Sequence, residues 1–214
     1  CGGLIPLSPN WRLSTDGTGV RLLPDTRTRR CSFEIVQHAA DHSPPTVKNG
    51  DGLCPYPDCG RVVDGDSIKE QAQAGGMGEQ LYAIVYKQTI TVGQTKTGKP
   101  KTKSVRGFRA PRAEDDVSLQ VQHALVEKMP EWEARDIAPT ETIGDISNYD
   151  RGHRMYGMST WRDMFSPRQL LGHCTAVEVF RDLLDEMRRD SGGDLPEVDR
   201  AAMAYLAIAM DKLL

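Results

Sequence analysis

The sequence has no long hydrophobic run and few aromatic residues. Aromatic types make up 6 % of the 214 residues, and the apolar types together make up 38 %. No segment approaches the ~20 apolar residues that a membrane-spanning helix needs, so we expect no membrane partner. The net charge of −3 excludes a uniformly basic coat for nucleic acid, although it leaves open where the charges lie.

Cysteine is also scarce and irregularly spaced. An odd set of 5 cysteines argues against a disulfide framework and favours a reducing compartment. The N-terminus has no signal-peptide pattern, so the cytoplasm is the expected location. The chain opens at Cys1-Gly2-Gly3 and stops within an apolar helical pattern without a cap, which is typical of a piece cut from a longer protein.

The order of the patterns predicts an α+β fold in three segments. Residues 1–112 hold short β-prone stretches and a long hairpin or returning arm, and we interpret them as a zinc-ribbon-like β region. Residues 113–150 hold one helix and a polar linker from Pro130 onward. Residues 151–214 form a mainly helical part, which we expect to pack on a catalytic domain outside this sequence.

Local signals place the helices more closely. Ser67 with Glu70 is a capping-box pattern, which predicts a short helix from that point. Ser166 and Pro167 predict the start of a long helix. Its expected inner side comprises Leu170, Cys174, Val177, Leu184 and Met187. A last helix is expected from about Pro196, with an inner side of Ala201, Tyr205, Ile208 and Leu213.

Two cysteines at a turn, in CPYPDCG, suggest half of a metal site. Zinc prefers four tetrahedral ligands, and backbone N–H groups of a tight turn can hold two thiolates in place. Four residues separate Cys54 from Cys59, where two are more usual. The favoured set adds Cys1 to these two cysteines. His38 and His42 with the same two cysteines form a competing set, and small buried cysteines without metal remain a third interpretation.

The stretch from Lys87 to Arg112 contains no Asp or Glu. It holds eight cationic residues, namely Lys87, Lys96, Lys99, Lys101, Lys103, Arg106, Arg109 and Arg112. A basic hairpin tip gains affinity for a phosphate backbone through counterion release. The predicted DNA-contacting residues are Lys96, Lys99, Lys101, Lys103, Arg106 and Arg109. The alternative interpretation is an ordinary solvated loop.

Three phrases together resemble one protein family. They are CPYPDCG, EQAQAGGMGEQLYAIV from Glu70 to Val85, and YGMSTWRDMFSPRQLL from Tyr156 to Leu171. With the opening Cys1-Gly2-Gly3, they resemble the large bacterial and archaeal adenine-specific DNA methylases that carry an internal zinc ribbon. The stretch from Lys87 to Tyr149 carries no part of the resemblance.

The resemblance implies a parent protein with a Rossmann-like domain that uses S-adenosylmethionine. The Asn/Asp-Pro-Pro-Tyr motif of that domain is absent here, because Pro44-Pro45 is followed by Thr46. The chain alone is therefore expected to be inactive and to bind no S-adenosylmethionine. Its expected roles are a structural zinc site and a hold on DNA beside the remainder of the methyltransferase. The alternative is a module that binds other subunits of a restriction or phage-defence system without touching DNA.

Overall fold

The computed structural model describes residues 1–144 and 148–212. The described residues contain strands in small sheets together with helices, so the α+β class is confirmed. The chain divides into two compact units, Cys1–Asp116 and Val117–Leu214. The boundary lies near the end of the first predicted segment, and the second unit holds most of the two segments predicted to follow it. No described helix has the length and apolar character needed to cross a bilayer.

The first unit contains three small antiparallel sheets. β1 (Gly19–Asp25) pairs with β2 (Arg30–Val36), while β3 (Val47–Lys48), β4 (Asp51–Leu53) and β5 (Val62–Val63) form the second sheet. The third sheet is the hairpin of β6 (Ile84–Gln94) and β7 (Pro100–Arg109). Alternation along β2 puts Cys31, Phe33 and Ile35 on the side that packs inward.

The core of the first unit is small and partly aromatic. Its buried members are Trp11, Val20, Leu22, Cys31, Phe33 and Tyr56. Trp11 and Phe33 have ring centroids 6.2 Å apart, and the half-exposed Tyr82 meets both rings edge-on. Cys54 and Cys59 pack against the margin of this core, so the proposed metal ligands lie at its border.

The helix after the second cysteine begins earlier than the sequence suggested. α1 covers Gly65–Gln73, and the Asp64 carboxylate caps it by accepting the Asp66 backbone N–H. The predicted cap at Ser67 was therefore wrong, because Asp64 offers an equally good capping oxygen one turn earlier. Ile68 and Ala72 are the buried side chains of this helix.

The second unit is helical. It comprises α2 (Ser118–Ala134), α3 (Asn148–Met155), α4 (Pro167–Asp190) and α5 (Glu197–Asp211). α2 packs on α4 around a core of Trp132, Ile137, Ala138, Leu170 and Cys174. The Ser166 hydroxyl accepts the Gln169 N–H, as expected for a capped start at Pro167.

Two predictions in this unit were wrong. α2 continues through Pro130 to Ala134, and the residues after Pro130 include Trp132 and Ile143, which are 0 % and 2 % exposed. The stretch is therefore partly core rather than a surface linker. In α5 the buried residue is Met203, whereas Tyr205 and Ile208 are 75 % and 57 % exposed, so the helix turns another face inward. Leu213, also predicted inward, lies outside the described residues.

Candidate metal centre and basic hairpin

Three thiols from two distant parts of the chain, the opening residue and one turn, meet at one point. The sulfur atoms of Cys1, Cys54 and Cys59 all lie within 4.8 Å of one another, and the Cys1 and Cys54 sulfurs are 3.7 Å apart. Zn–S bonds of about 2.3 Å at tetrahedral angles place two thiolates about 3.8 Å apart. The cluster therefore has the spacing at which one ion can bind all three sulfurs.

The turn that carries Cys54 and Cys59 is closed by backbone hydrogen bonds. The N–H groups of Cys59 and Gly60 both donate to the Tyr56 carbonyl, at 3.0 and 3.1 Å, and the Cys54 N–H donates to the Arg61 carbonyl at 2.9 Å. Gly60 has a φ of 59°, a conformation that glycine adopts without a Cβ clash. The extra residues between the cysteines thus form one helical-type turn, which brings both sulfurs to the same side.

The Cys59 thiol is also prepared electrostatically. The Arg61 backbone N–H, donating toward the sulfur, and the neighbouring Cys54 thiol lower the pKa of Cys59. Backbone donors behind a thiolate stabilise its charged form, which is the form that binds metal. Burial instead raises the pKa of Cys31 and of Cys174, and both lie in the core, as the predicted inner side of α4 requires for Cys174.

A buried tyrosine ties the Cys1 segment to the turn. Tyr56 is fully buried, and its hydroxyl donates to the Leu4 carbonyl at 2.8 Å. Its ring packs so closely on Gly3 that any side chain there would collide with it. The Leu4 N–H donates to the Arg29 carbonyl at 3.0 Å. These contacts fix the chain just after Cys1 and so keep Cys1 close to the turn.

An ion pair between Arg29 and Asp58 also stabilises the turn. The Arg29 guanidinium binds both carboxylate oxygens of Asp58 at 2.7 and 2.8 Å and lies 5.6 Å from the centre of the Tyr56 ring. This pairing lowers the pKa of Asp58. Sequence patterns did not predict the roles of Tyr56, Arg29 and Asp58, because their contacts depend on the β1–β2 turn meeting the cysteine turn in space. The only signal in the sequence is the location of Tyr56 and Asp58 between the two cysteines.

The competing histidine set does not assemble among the described residues. The only cluster of three or more candidate metal ligands within them is the cysteine cluster. The His42 ring nitrogen Nε2 instead lies 2.8 Å from the Gly17 carbonyl, and the ring packs on Gly19. The two histidines flank a short 3-10 turn, Ala39–Asp41, which explains their spacing without a metal.

The predicted DNA-contacting residues belong to the hairpin of β6 and β7 or to its tip. Lys96 and Lys99 lie at the tip, while Lys101, Lys103, Arg106 and Arg109 lie on β7. Every position from Val85 to Ser104 is exposed. Arg109 differs from the others, because it binds both oxygens of Asp115 at 2.5 and 2.6 Å.

Five of the six predicted residues retain an unbalanced charge. Within the described residues, Lys96, Lys99, Lys101, Lys103 and Arg106 form no ion pair, and neither does Lys87 on β6. Arg112 pairs with Glu114 at 3.3 Å. The ion pairs thus lie at the base of the hairpin, and the rest of the hairpin is a cationic surface without an acidic residue.

Comparisons of the chain with protein-family models, curated proteins and solved structures gave no match. The function must therefore be argued from the geometry of these two features, the thiol cluster and the hairpin.

Proposed function

We propose that this chain is the DNA-holding insert of an S-adenosylmethionine-dependent, adenine-specific DNA methyltransferase. In this proposal the cysteine cluster binds a structural zinc ion, and the hairpin binds the phosphate backbone of DNA. Methyl transfer belongs to the remainder of the parent protein, because this chain has neither the Pro-Pro-Tyr motif nor a glycine loop between a strand and a helix. The resemblance in the three quoted phrases supplies the enzyme class.

The observation that carries DNA binding is the unbalanced charge of the hairpin. Lys87 and Arg106 are directly opposite one another in the strand register, and like charges at such positions destabilise a sheet. No acid between Ile84 and Arg109 offsets this repulsion. The charge pattern therefore works against folding of the hairpin, which is understandable when an external anion balances it.

The observation that supports zinc is the match between the sulfur spacing and the ligand spacing of a tetrahedral site. Cys1, Cys54 and Cys59 would hold the ion, and the fourth position would take a ligand from outside the cluster. When bound, the ion would join the chain's first residue to the turn 53 residues later. Its role is structural, because it would fix a turn whose cysteines pack against the core of the first unit.

Charge reversal in the hairpin tests the DNA-binding part. Lys99→Glu, Lys101→Glu and Lys103→Glu together should abolish measurable duplex binding at physiological salt in a fluorescence-anisotropy titration. For the unchanged protein, the logarithm of the binding constant should fall steeply with the logarithm of the salt concentration, by about 0.9 for each phosphate contact.

The matched control carries three reversals elsewhere on the first unit. Arg27→Glu, Arg30→Glu and Lys48→Glu change the net charge equally at exposed positions outside the hairpin. This variant should keep most of the affinity and its salt slope. Equal loss of binding in both variants would mean that overall charge, not the hairpin, attracts DNA. Salt-independent binding, or none, by the unchanged protein would favour the module that binds other subunits of a defence system.

A further inference from the structure

Strand register divides the hairpin into two unlike faces. Residues directly opposite one another in an antiparallel pair share a face, and the face alternates at each step. One face, here called the hydroxyl face, consists of three central cross-strand pairs. They are Lys87 with Arg106, Thr89 with Ser104, and Thr91 with Thr102. The other face carries Tyr86, Gln88, Ile90, Lys103 and Val105.

The second face is covered in part by its own side chains. The Tyr86 ring lies across its register partner Gly107 on the neighbouring strand, where any Cβ would collide with the ring. Gly107 is buried as a result, and Val105 is half-buried. Packing of an aromatic ring over a cross-strand glycine is a way of stabilising a two-stranded sheet. The end of this face nearest the base of the hairpin is therefore explained by folding.

The hydroxyl face has no such explanation. All six of its residues are exposed. Within the described part of the chain, the hydroxyls of Thr89, Thr91, Thr102 and Ser104 make no side-chain hydrogen bond. Four hydroxyls without a side-chain hydrogen bond thus lie in two rows on this face. The opposed cations Lys87 and Arg106, which repel each other, lie on the same face.

The dimensions of this face match one groove of duplex DNA. A two-stranded ribbon has strands about 4.8 Å apart, and the major groove, about 12 Å wide, admits such a ribbon, whereas the minor groove, about 6 Å wide, has to be opened by deforming the DNA. The central residues of the face are short, so the backbone can approach the groove floor. Hydroxyl groups both donate and accept hydrogen bonds, and a threonine methyl group can contact the methyl group of thymine.

We propose that the hydroxyl face enters the major groove of duplex DNA and contacts base edges there. This proposal rests on the proposed DNA binding and adds to it which face, which groove and which residues meet the bases. The lysines at the tip and on the opposite face, Lys96, Lys99, Lys101 and Lys103, reach the phosphates at the groove edges. A single strand fits less well, because stacking of unpaired bases needs aromatic rings, and the three central pairs of the hydroxyl face contain none.

Chemical protection with the unchanged protein tests the groove. Dimethyl sulfate methylates guanine N7, which lies in the major groove. Full-length chain bound to a guanine-rich duplex should protect N7 positions over about one helical turn. A duplex whose pyrimidines carry bulky C5 substituents, which fill the major groove, should bind at least about tenfold more weakly. A minor-groove ligand such as distamycin should not displace the protein.

A pair of variants tests the face. Thr91→Val, Thr102→Val and Ser104→Ala remove three hydroxyls at nearly constant shape, and they should weaken duplex binding by at least about tenfold, since each hydrogen bond contributes about 1 kcal/mol. The salt slope should stay unchanged, because every lysine is kept. The control, Gln88→Thr with Ile90→Thr on the opposite face, should change affinity by less than about twofold.

Failure of this inference differs from failure of the proposed function. Salt-dependent duplex binding without N7 protection, displacement by distamycin, or equal affinity for single strands would refute major-groove entry while leaving backbone binding intact. Greater loss in the opposite-face control than in the hydroxyl-face variant would also refute it. Absence of any salt-dependent binding to duplexes would refute both proposals together.

Discussion

The cysteine turn and the hairpin belong to one compact unit, yet they differ in whether their charged and polar side chains have partners. Around the turn, each distinctive residue has a partner: Tyr56 holds Leu4, and Arg29 holds Asp58. Along the hairpin, Lys87 and Arg106 face each other without an acid. The first pattern lowers the energy of the folded chain, and the second raises it.

This difference separates residues kept for stability from residues available for binding. A region whose charges are held in its own ion pairs and whose polar groups are bonded within a core offers few free groups to a nucleic-acid partner, although its thiols can still bind a structural metal ion. A surface with unpaired cations and free hydroxyls attracts an anionic partner with hydrogen-bonding groups. Damage to the turn should therefore cost stability, and damage to the hairpin should cost binding. Three changes test this division, beginning with the largest expected effect.

Removal of one thiolate should have the largest effect. Cys54→Ser should lower bound zinc from about one ion per chain to well below half, as measured by elemental analysis after dialysis. Because binding free energy of a structural zinc contributes directly to folding, the first unit should lose on the order of 5 kcal/mol or more in a denaturant titration.

Cys174→Ala is the matched control for the metal measurement. Cys174 is a buried cysteine of the second unit, far from the cluster in sequence, and its loss should leave the zinc content unchanged. A chain that holds no zinc before any substitution, or one that loses equal zinc in both variants, would contradict a metal site at Cys1, Cys54 and Cys59.

Truncation of the buried tyrosine should have the next largest effect. Tyr56→Ala removes a fully buried ring and should lower the free energy of unfolding of the first unit by about 3–5 kcal/mol. Tyr56→Phe keeps the ring but leaves the Leu4 carbonyl without its hydroxyl donor, and it should cost about 1 kcal/mol. In both variants, salt-dependent duplex binding should persist at temperatures where the unit remains folded. Loss of binding by the folded Tyr56→Phe protein would contradict the assignment of stability to the turn and of DNA binding to the hairpin.

Local signals in the sequence predicted some of these features well. The start of α4 was predictable because Ser166, Pro167 and Gln169 act within one turn of chain. The face of α5 was not predictable from periodicity, because Met203 and Tyr205 both lie in apolar rows and only packing decides which row is buried. The true cap of α1 was missed for a similar reason, since Asp64 and Ser67 are both good caps.

The same distinction applies to the candidate sites. Cys1, Cys54 and Cys59 were predictable as a set, because thiols near glycines are an uncommon combination with a known chemistry. Their supports were not, because Arg29 reaches Asp58 across 29 residues of sequence. Register decides which hairpin residues share a face, and the extra residue between Thr91 and Gly93 shifts that register toward the tip.

The smallest expected effect is at the base of the hairpin, where a cation of the basic stretch has an ion-pair partner of its own. Arg109 belongs to the basic stretch by sequence, yet it binds Asp115, as residues around the cysteine turn bind their partners. Asp115 also accepts the Arg112 backbone N–H at 2.7 Å. These contacts, with Arg109 first, lower the pKa of Asp115 to about 2. The pair therefore contributes stability above the ordinary pKa of 3.8, and the contribution is lost as the pH falls through about 2.

Asp115→Asn should therefore raise amide hydrogen exchange at the base of β6 and β7 several-fold at neutral pH, with little change in β1 or β2. Glu114→Gln is the matched control, because Glu114 pairs with Arg112 while both side chains are largely exposed, and exposed pairs contribute little. The Asp115→Asn chain should also bind duplex DNA at least as tightly as the unchanged chain, since Arg109 gains an unpaired charge. Weaker binding would mean that Arg109 acts by fixing the direction of the arm, and the boundary between the two regions would then lie beyond Arg109, toward the tip.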